Sequence, residues 1–186
     1  MKRLIDIAGG LVGLVLFSPL LLALAVAIRL ESRGPALHWS KRVGRDNRLF
    51  AMPKFRTMRV GAPDVATHLL ADPDQWVTPL GRLLRRTSLD ELPQFWSVLV
   101  GHMSLVGPRP ALFNQDDLVA LRTEHGVHRL RPGVTGWAQV NGRDELPIPE
   151  KVRLDREYLD RRSLAFDLAI LLRTIRAAFS GKGVSH

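Results

Sequence analysis

The chain has 186 residues, with 27 Lys and Arg against 18 Asp and Glu, a formal charge of +9 and no cysteine. That length fills one hydrophobic core and gives no sign of a second, and the missing thiols exclude disulfides and thiolate metal sites, as suits a reducing compartment. The basic balance points to anionic partners, but one Tyr among so many Arg is a poor stacking platform for nucleic acid.

The first element is an uncharged run, Ala8 to Ile28, roughly 31 Å long as a helix and enough to cross a bilayer. Ser18-Pro19 lies in its middle, where proline removes a backbone hydrogen bond and crowds the preceding turn, so a sharp break is expected. Lys2 and Arg3 precede the run and Arg29 and Arg33 follow it, so charge prefers neither side. We read residues 1–33 as a re-entrant helix-break-helix hairpin that enters and leaves by the cytoplasmic face, and 34–186 as one domain docked on that membrane. A signal peptide cleaved at Ala23-Leu-Ala25 or Ala25-Val-Ala27, a kinked spanning helix and a buried helix of a soluble protein each fit part of the pattern.

Beyond the run, Ala36-Leu-His-Trp39 and Leu49-Phe-Ala-Met52 read as short strands around the polar turn Gly44 to Asn47. Residues from Pro63 to Pro79 read mostly as loop. Helical spacing follows over Thr78 to Arg86, Leu92 to Val100, Asn114 to His125, Glu150 to Arg161 and Leu164 to Phe179. The last of these sets Leu168, Leu171, Leu172 and Ile175 against Arg173 and Arg176. That pattern fits a basic amphipathic helix on an anionic lipid surface and fits equally a closing core helix with one solvated face.

Chemistry-bearing residues concentrate in three segments. In Arg85-Arg-Thr-Ser-Leu-Asp-Glu-Leu-Pro-Gln94, Pro93 suits only a first helical turn, which places Asp90 and Glu91 at or just before a helix N-terminus. There they are either capping and dipole residues or a carboxylate pair beside a phosphate site, able to hold a metal or attack phosphorus. Val106-Gly-Pro-Arg-Pro110 holds Arg109 between two locked φ angles, as a rigid phosphate fork or an incidental surface arginine. Arg131 to Arg143 packs three Gly, Trp137, Gln139 and Asn141 between two arginines, as a base-and-phosphate pocket lip or a Gly-rich turn around a packed Trp.

Together with Lys54-Phe-Arg-Thr-Met58, these segments (Ser88 to Gln94, Met103 to Pro110 and Arg131 to Arg143) resemble, in order, the motifs of the bacterial sugar transferase family, the small monotopic phosphoglycosyl transferases. The resemblance covers essentially the whole chain. It departs from the family pattern at His102, usually acidic, and Ser97, commonly Asn. The resemblance implies transfer of a sugar-1-phosphate from a UDP-sugar to undecaprenyl phosphate, with UMP leaving first. By carry-over Asp90 is the nucleophile that forms a phosphosugar intermediate, with Mg²⁺ beside it, and Glu91 is its partner. Lys54, Arg56, Arg85, Arg109 and Arg131 would bind phosphates, and Trp137, Gln139, Asn141 and Arg143 would line the nucleotide and sugar pocket. The expected architecture is α/β and helix-rich, with amphipathic surface helices at the cytoplasmic face of the inner membrane, and a homodimer is left open. The competing classes are a non-enzymatic basic module that binds anionic lipid or nucleic acid, and an exported, signal-cleaved hydrolase.

Overall fold

The computed structural model describes residues 1–62, 73–142 and 146–180. Its first element is α1 (Lys2–Glu31), the one described helix long and apolar enough to cross a membrane, with 11% of its most apolar window buried against the rest of the molecule. The break expected at Ser18-Pro19 is not seen: one helix runs through Pro19. The reason is local. Pro19 deprives the Val15 carbonyl of its helical donor, and the Ser18 hydroxyl donates to that same carbonyl at 2.8 Å.

Both ends of α1 are bound to the rest of the protein. At the start, Lys2 Nζ donates to Asp167 Oδ2 at 2.6 Å and to the Val106 carbonyl at 3.1 Å. The Arg3 guanidinium donates to the carbonyls of Val98 and Leu99, and buried Asp6 accepts from the Ser104 hydroxyl and the Leu105 N–H. At the far end Ile28 is buried with Phe55 and Leu84, Glu31 accepts from the Leu80 N–H, and Arg56 donates to the carbonyls of Ser32 and Arg33. Between them, Leu11, Val12, Val15, Leu16 and Leu22 stay exposed.

The predicted strands form the hairpin β1 (Leu37–Val43) and β2 (Leu49–Phe55), antiparallel, with Ser40 opposite Met52 and His38 opposite Lys54. A short helix, α2 (Pro73–Trp76), precedes α3 (Pro79–Thr87), which Thr78 caps through its hydroxyl at the Gly81 N–H. Gly81 is required there, because a Cβ would fall 2.1 Å from the Thr57 carbonyl. Next comes α4 (Gln94–Val100), whose face meets α1 where Gly10 and Gly13 lie against Phe95 and Leu99.

Two strands escaped the sequence reading. β3 (Ser104–Val106) and β4 (Gly133–Thr135) pair in parallel, and the approach is so close that a Cβ on Gly133 would meet the Gly107 nitrogen at 2.1 Å. α5 (Asp116–Glu124), α6 (Trp137–Val140), α7 (Ile148–Arg161) and α8 (Leu164–Ser180) complete the helix-rich α/β fold. The five helices α3, α4, α5, α7 and α8 match their predicted extents to within two residues, and α6 was not predicted. Val106, Val127, Leu130, Tyr158 and Ile170 form the main cluster beneath α8. Leu168, Leu172 and Ile175 point outward from α8, whereas Leu171 packs inward, so that helix has a core face and a separate apolar outer face.

Candidate active site

The residues between α3 and α4 are shaped by Ser88. It ends α3 in the left-handed conformation (φ 57°), which a non-glycine residue adopts at a cost of about 1 kcal/mol, and its carbonyl accepts from the Glu91 N–H. The chain then makes a 3₁₀ turn, Leu89–Glu91, before α4 begins. No side chain caps the N-terminus of α4, so the capping role considered for Asp90 is not the one it plays.

Around this turn the cations converge. Lys54, from the end of β2, donates to Glu91 Oε1 at 2.8 Å, and Arg109 donates to the same oxygen at 3.0 Å. Arg85, in the last turn of α3, is held by the Thr57 hydroxyl at 2.8 Å and interacts with the Asp90 charge. Asp90 itself is only 8% exposed. The predicted residues Lys54, Arg85, Asp90, Glu91 and Arg109 therefore meet around this turn, Lys54 and Arg109 on Glu91 and Arg85 beside Asp90.

The two neighbouring carboxylates are tuned in opposite directions. Burial pushes the Asp90 carboxyl above its ordinary value; Lys54 opposes this, Glu91 adds to it, and Arg85 and Arg109 oppose it more weakly. Burial would raise Glu91 as well, but the charges and hydrogen bonds of Arg109 and Lys54 outweigh it and hold this carboxyl well below the usual range. One carboxylate is thus held charged by two cations, and the other is buried with its charged form disfavoured. A cleft lined by Arg42, Met52, Lys54, Glu91, Gln94, Arg109 and Pro110 opens beside them. Arg42 and Gln94 were not singled out from sequence. The two-residue period of β1 and β2 would have found Arg42, which shares the inner face of the hairpin with Lys54 and Met52.

Other predicted site residues are placed elsewhere. Arg56 is buried and spends its guanidinium on the carbonyls of Ser32 and Arg33, just past the end of α1, and on the Ser32 hydroxyl, so its surroundings are those of a clamp on the helix end. Arg131 donates to the Gly101 carbonyl at 3.0 Å, at the opposite end of α4 from the carboxylates. The Trp137 ring lies 5.0 Å from Phe166 and 4.8 Å from the Arg173 guanidinium, in the joint between α6 and α8. Asn141 donates to the Trp137 carbonyl and closes α6. Both polar atoms of the Gln139 amide are buried without a hydrogen bond. Arg143 lies outside the described residues. Ser97 is buried within α4, and the His102 ring lies tilted against Phe50, 5.5 Å between centroids.

Among the described residues no group of three or more His, Asp or Glu side chains converges as a ready-made metal cage. The donor set still fits Mg²⁺, which commonly takes one or two protein carboxylates and completes its shell with water and substrate phosphates. Asp90 would be the carboxylate for that role, since Glu91 is already engaged by Lys54 and Arg109.

A buried carboxylate beside a clamped one, under lysine and arginine, can hold an anionic group in place and neutralise charge that develops on it. The profile of the family described as bacterial sugar transferase matches residues 1–181, and the chain belongs to that family. It is 44% identical over 184 residues to a UDP-glucose:undecaprenyl-phosphate glucose-1-phosphate transferase of Caulobacter vibrioides, covering 94% of this chain and 68% of that protein. It is 40% identical over 187 residues to a UDP-N-acetylgalactosamine-undecaprenyl-phosphate N-acetylgalactosaminephosphotransferase of Aeromonas hydrophila, covering 98% and 44%. The uncharacterized sugar transferase EpsL of Bacillus subtilis is 39% identical over 188 residues, covering 100% and 91%. The chain spans less than half the length of several curated relatives it matches, 44% of the Aeromonas protein and 41% of an Escherichia coli one.

Proposed function

We propose that the protein transfers a sugar-1-phosphate from a UDP-sugar to undecaprenyl phosphate through a covalent phosphosugar intermediate on Asp90, as the first membrane step of polysaccharide or glycoconjugate synthesis. The observation that carries this reading is the pairing of a buried carboxylate, Asp90, with a carboxylate already neutralised by Lys54 and Arg109. Asp90 attacks the phosphorus that bears the sugar; a P–O bond forms to the carboxylate and the bond to the UMP oxygen breaks, with UMP taking the electron pair. The lipid phosphate then attacks the same phosphorus and returns Asp90 as a free carboxylate. Arg109, Lys54 and Arg85 face negative charge that grows in both steps, and Glu91 fixes two of these cations in register. Mg²⁺ held by Asp90 and the diphosphate would neutralise the donor's charge when bound.

The test is incubation of the purified protein with a panel of UDP-sugars, Mg²⁺ and undecaprenyl phosphate while UMP is measured. One productive donor supports the reading and names the sugar. UMP release from none of them overturns it.

In this reading α1 is re-entrant and the domain sits on the cytoplasmic face. What supports it is that Lys2, Arg3 and Asp6 at one end, and Ile28, Glu31 and the Ser32 and Arg33 carbonyls at the other, are all bound by the same folded body. Opposite-side placement of the ends would tear one set of these contacts. Because the chain has no cysteine, a single Cys inserted after Met1 reports cleanly. In intact cells it should resist a membrane-impermeant thiol reagent and react only after the inner membrane is opened. Labelling from the periplasm would refute the placement of both ends of α1 on the cytoplasmic face.

A further inference from the structure

The loop that carries Arg109 has an unusual backbone. Pro108 and Pro110 supply no N–H, so its cohesion rests on carbonyl acceptors, and every carbonyl from 108 to 111 is taken. Pro108 accepts from the Gly133 N–H at 2.8 Å, Pro110 from Arg42 at 3.3 Å and Ala111 from the Val43 N–H at 3.0 Å. The carbonyl of Arg109 itself accepts from Arg122 Nη1 at 2.8 Å. Arg122 sits on α5 and does not line the cleft around Glu91. Its other donors, Nε and Nη2, both go to Asp155 Oδ2 on α7, at 2.9 and 2.6 Å. The pair is buried, with side chains 11% and 1% exposed.

A buried ion pair is a poor device for stability alone, since the desolvation it costs is commonly recovered by two apolar side chains of the same volume. Here the geometry asks for an arginine. One planar fork joins a carboxylate on α7 to a main-chain oxygen in the phosphate loop, and an ammonium cannot bridge both in fixed directions. We infer that Arg122, fixed by Asp155, is a positioning residue for transfer, acting through the backbone of Arg109 to hold that guanidinium against Glu91 and the substrate phosphates. The inference rests on the function proposed above, and it adds a residue that lies outside the cleft beside Asp90 and Glu91 and acts through the Arg109 main chain.

The test is a double-mutant cycle of Arg122→Lys with Arg109→Ala in the full-length, membrane-reconstituted protein. Two readouts are used: kcat and KM for UMP release, normalised to the fraction of molecules that give a first-turnover burst, and affinity for inorganic pyrophosphate by calorimetry. Misplacing a reacting group by about 1 Å costs on the order of 10²-fold. Arg122→Lys alone should therefore lower kcat by about 10- to 100-fold with a smaller change in KM, and should weaken pyrophosphate binding. In the Arg109→Ala background it should change either quantity by less than about twofold, because the group it positions is gone. A merely structural role would lower the burst fraction and multiply with Arg109→Ala, and that result overturns the inference, as does a wild-type kcat in folded Arg122→Lys. Asp155→Asn, which keeps an acceptor for Arg122, should show the same coupling to Arg109 at smaller amplitude and decides the matter if Arg122→Lys fails to fold. Should the wild type turn over no UDP-sugar, the proposed reaction falls, and the pyrophosphate cycle still decides whether Arg122 positions Arg109.

Discussion

Asp90→Asn should leave a folded protein that melts higher than the wild type and does not transfer. Burial holds the Asp90 carboxyl above its ordinary value, so the folded state binds that proton more tightly than the unfolded chain does. Ionised Asp90 therefore costs stability at neutral pH, and the cost disappears as pH falls through the raised value. Asn removes it, so the gain in melting temperature should be present at pH 7 to 8 and vanish in acid. Because α4 has no side-chain cap, the substitution forfeits no capping bond. Turnover, by contrast, should fall by more than about 10³-fold, the scale of removing a nucleophile. Mass spectrometry of the wild type with UDP-sugar and no lipid acceptor should show a phosphosugar on Asp90, and none in the variant. A folded Asp90→Asn protein that releases UMP at the wild-type rate would remove Asp90 from the chemistry.

Glu91→Gln should do the reverse to stability. Its carboxyl lies well below the ordinary range because Arg109 and Lys54 overcome the effect of burial. A lowered value means stability that is complete above the unfolded value and lost only as pH falls through the folded one, so the clamp is intact at every pH where transfer would be assayed. Gln leaves Lys54 and Arg109 facing a neutral amide. Breaking a buried pair costs about 3–5 kcal/mol, and because the Arg109 side chain is 38% exposed a smaller loss, about 2–3 kcal/mol, is expected in denaturant titrations. Activity should drop less than in Asp90→Asn. Because Glu91 is one of the charges that raise Asp90, the acid limb of kcat/KM should also move to lower pH. A Glu91→Gln protein as stable as the wild type would show that the clamp is not holding the site.

The helices were legible because apolar residues recur along them at helical spacing, and because Pro93, which suits only a first helical turn, marks the start of α4. β3 and β4 were not, since three residues each leave no period, and their pairing depends on Gly107 and Gly133 touching across the fold. The continuity of α1 turned on one hydroxyl. Proline's effect can be read from sequence, but whether Ser18 turns inward to the Val15 carbonyl is a matter of rotamer. In the site, the Asp-Glu pair, Lys54 and Arg109 were found because charge, proline rigidity and motif order agree. Arg56, Arg131, Trp137 and Asn141 are matched by type to phosphate or base recognition, yet each has a partner supplied by a distant segment or helix end. No local pattern reports that Arg56 faces the end of α1, because the two are joined only in the folded molecule.

That last contact bears on anyone who would exchange parts between relatives. Four consecutive residues of one segment serve two masters: Lys54 holds Glu91, Phe55 packs on Ile28, Arg56 closes α1, and Thr57 holds Arg85. A chimaera cut after residue 33 would give the recipient a foreign helix end against its own Phe55 and Arg56, with Lys54 and Thr57 on the Glu91 and Arg85 side of the same seam. The transplantable cassette is therefore α1 together with the hairpin through Thr57 and the α3 face around Leu80 and Leu84, and a seam drawn through sequence hydrophobicity alone divides it.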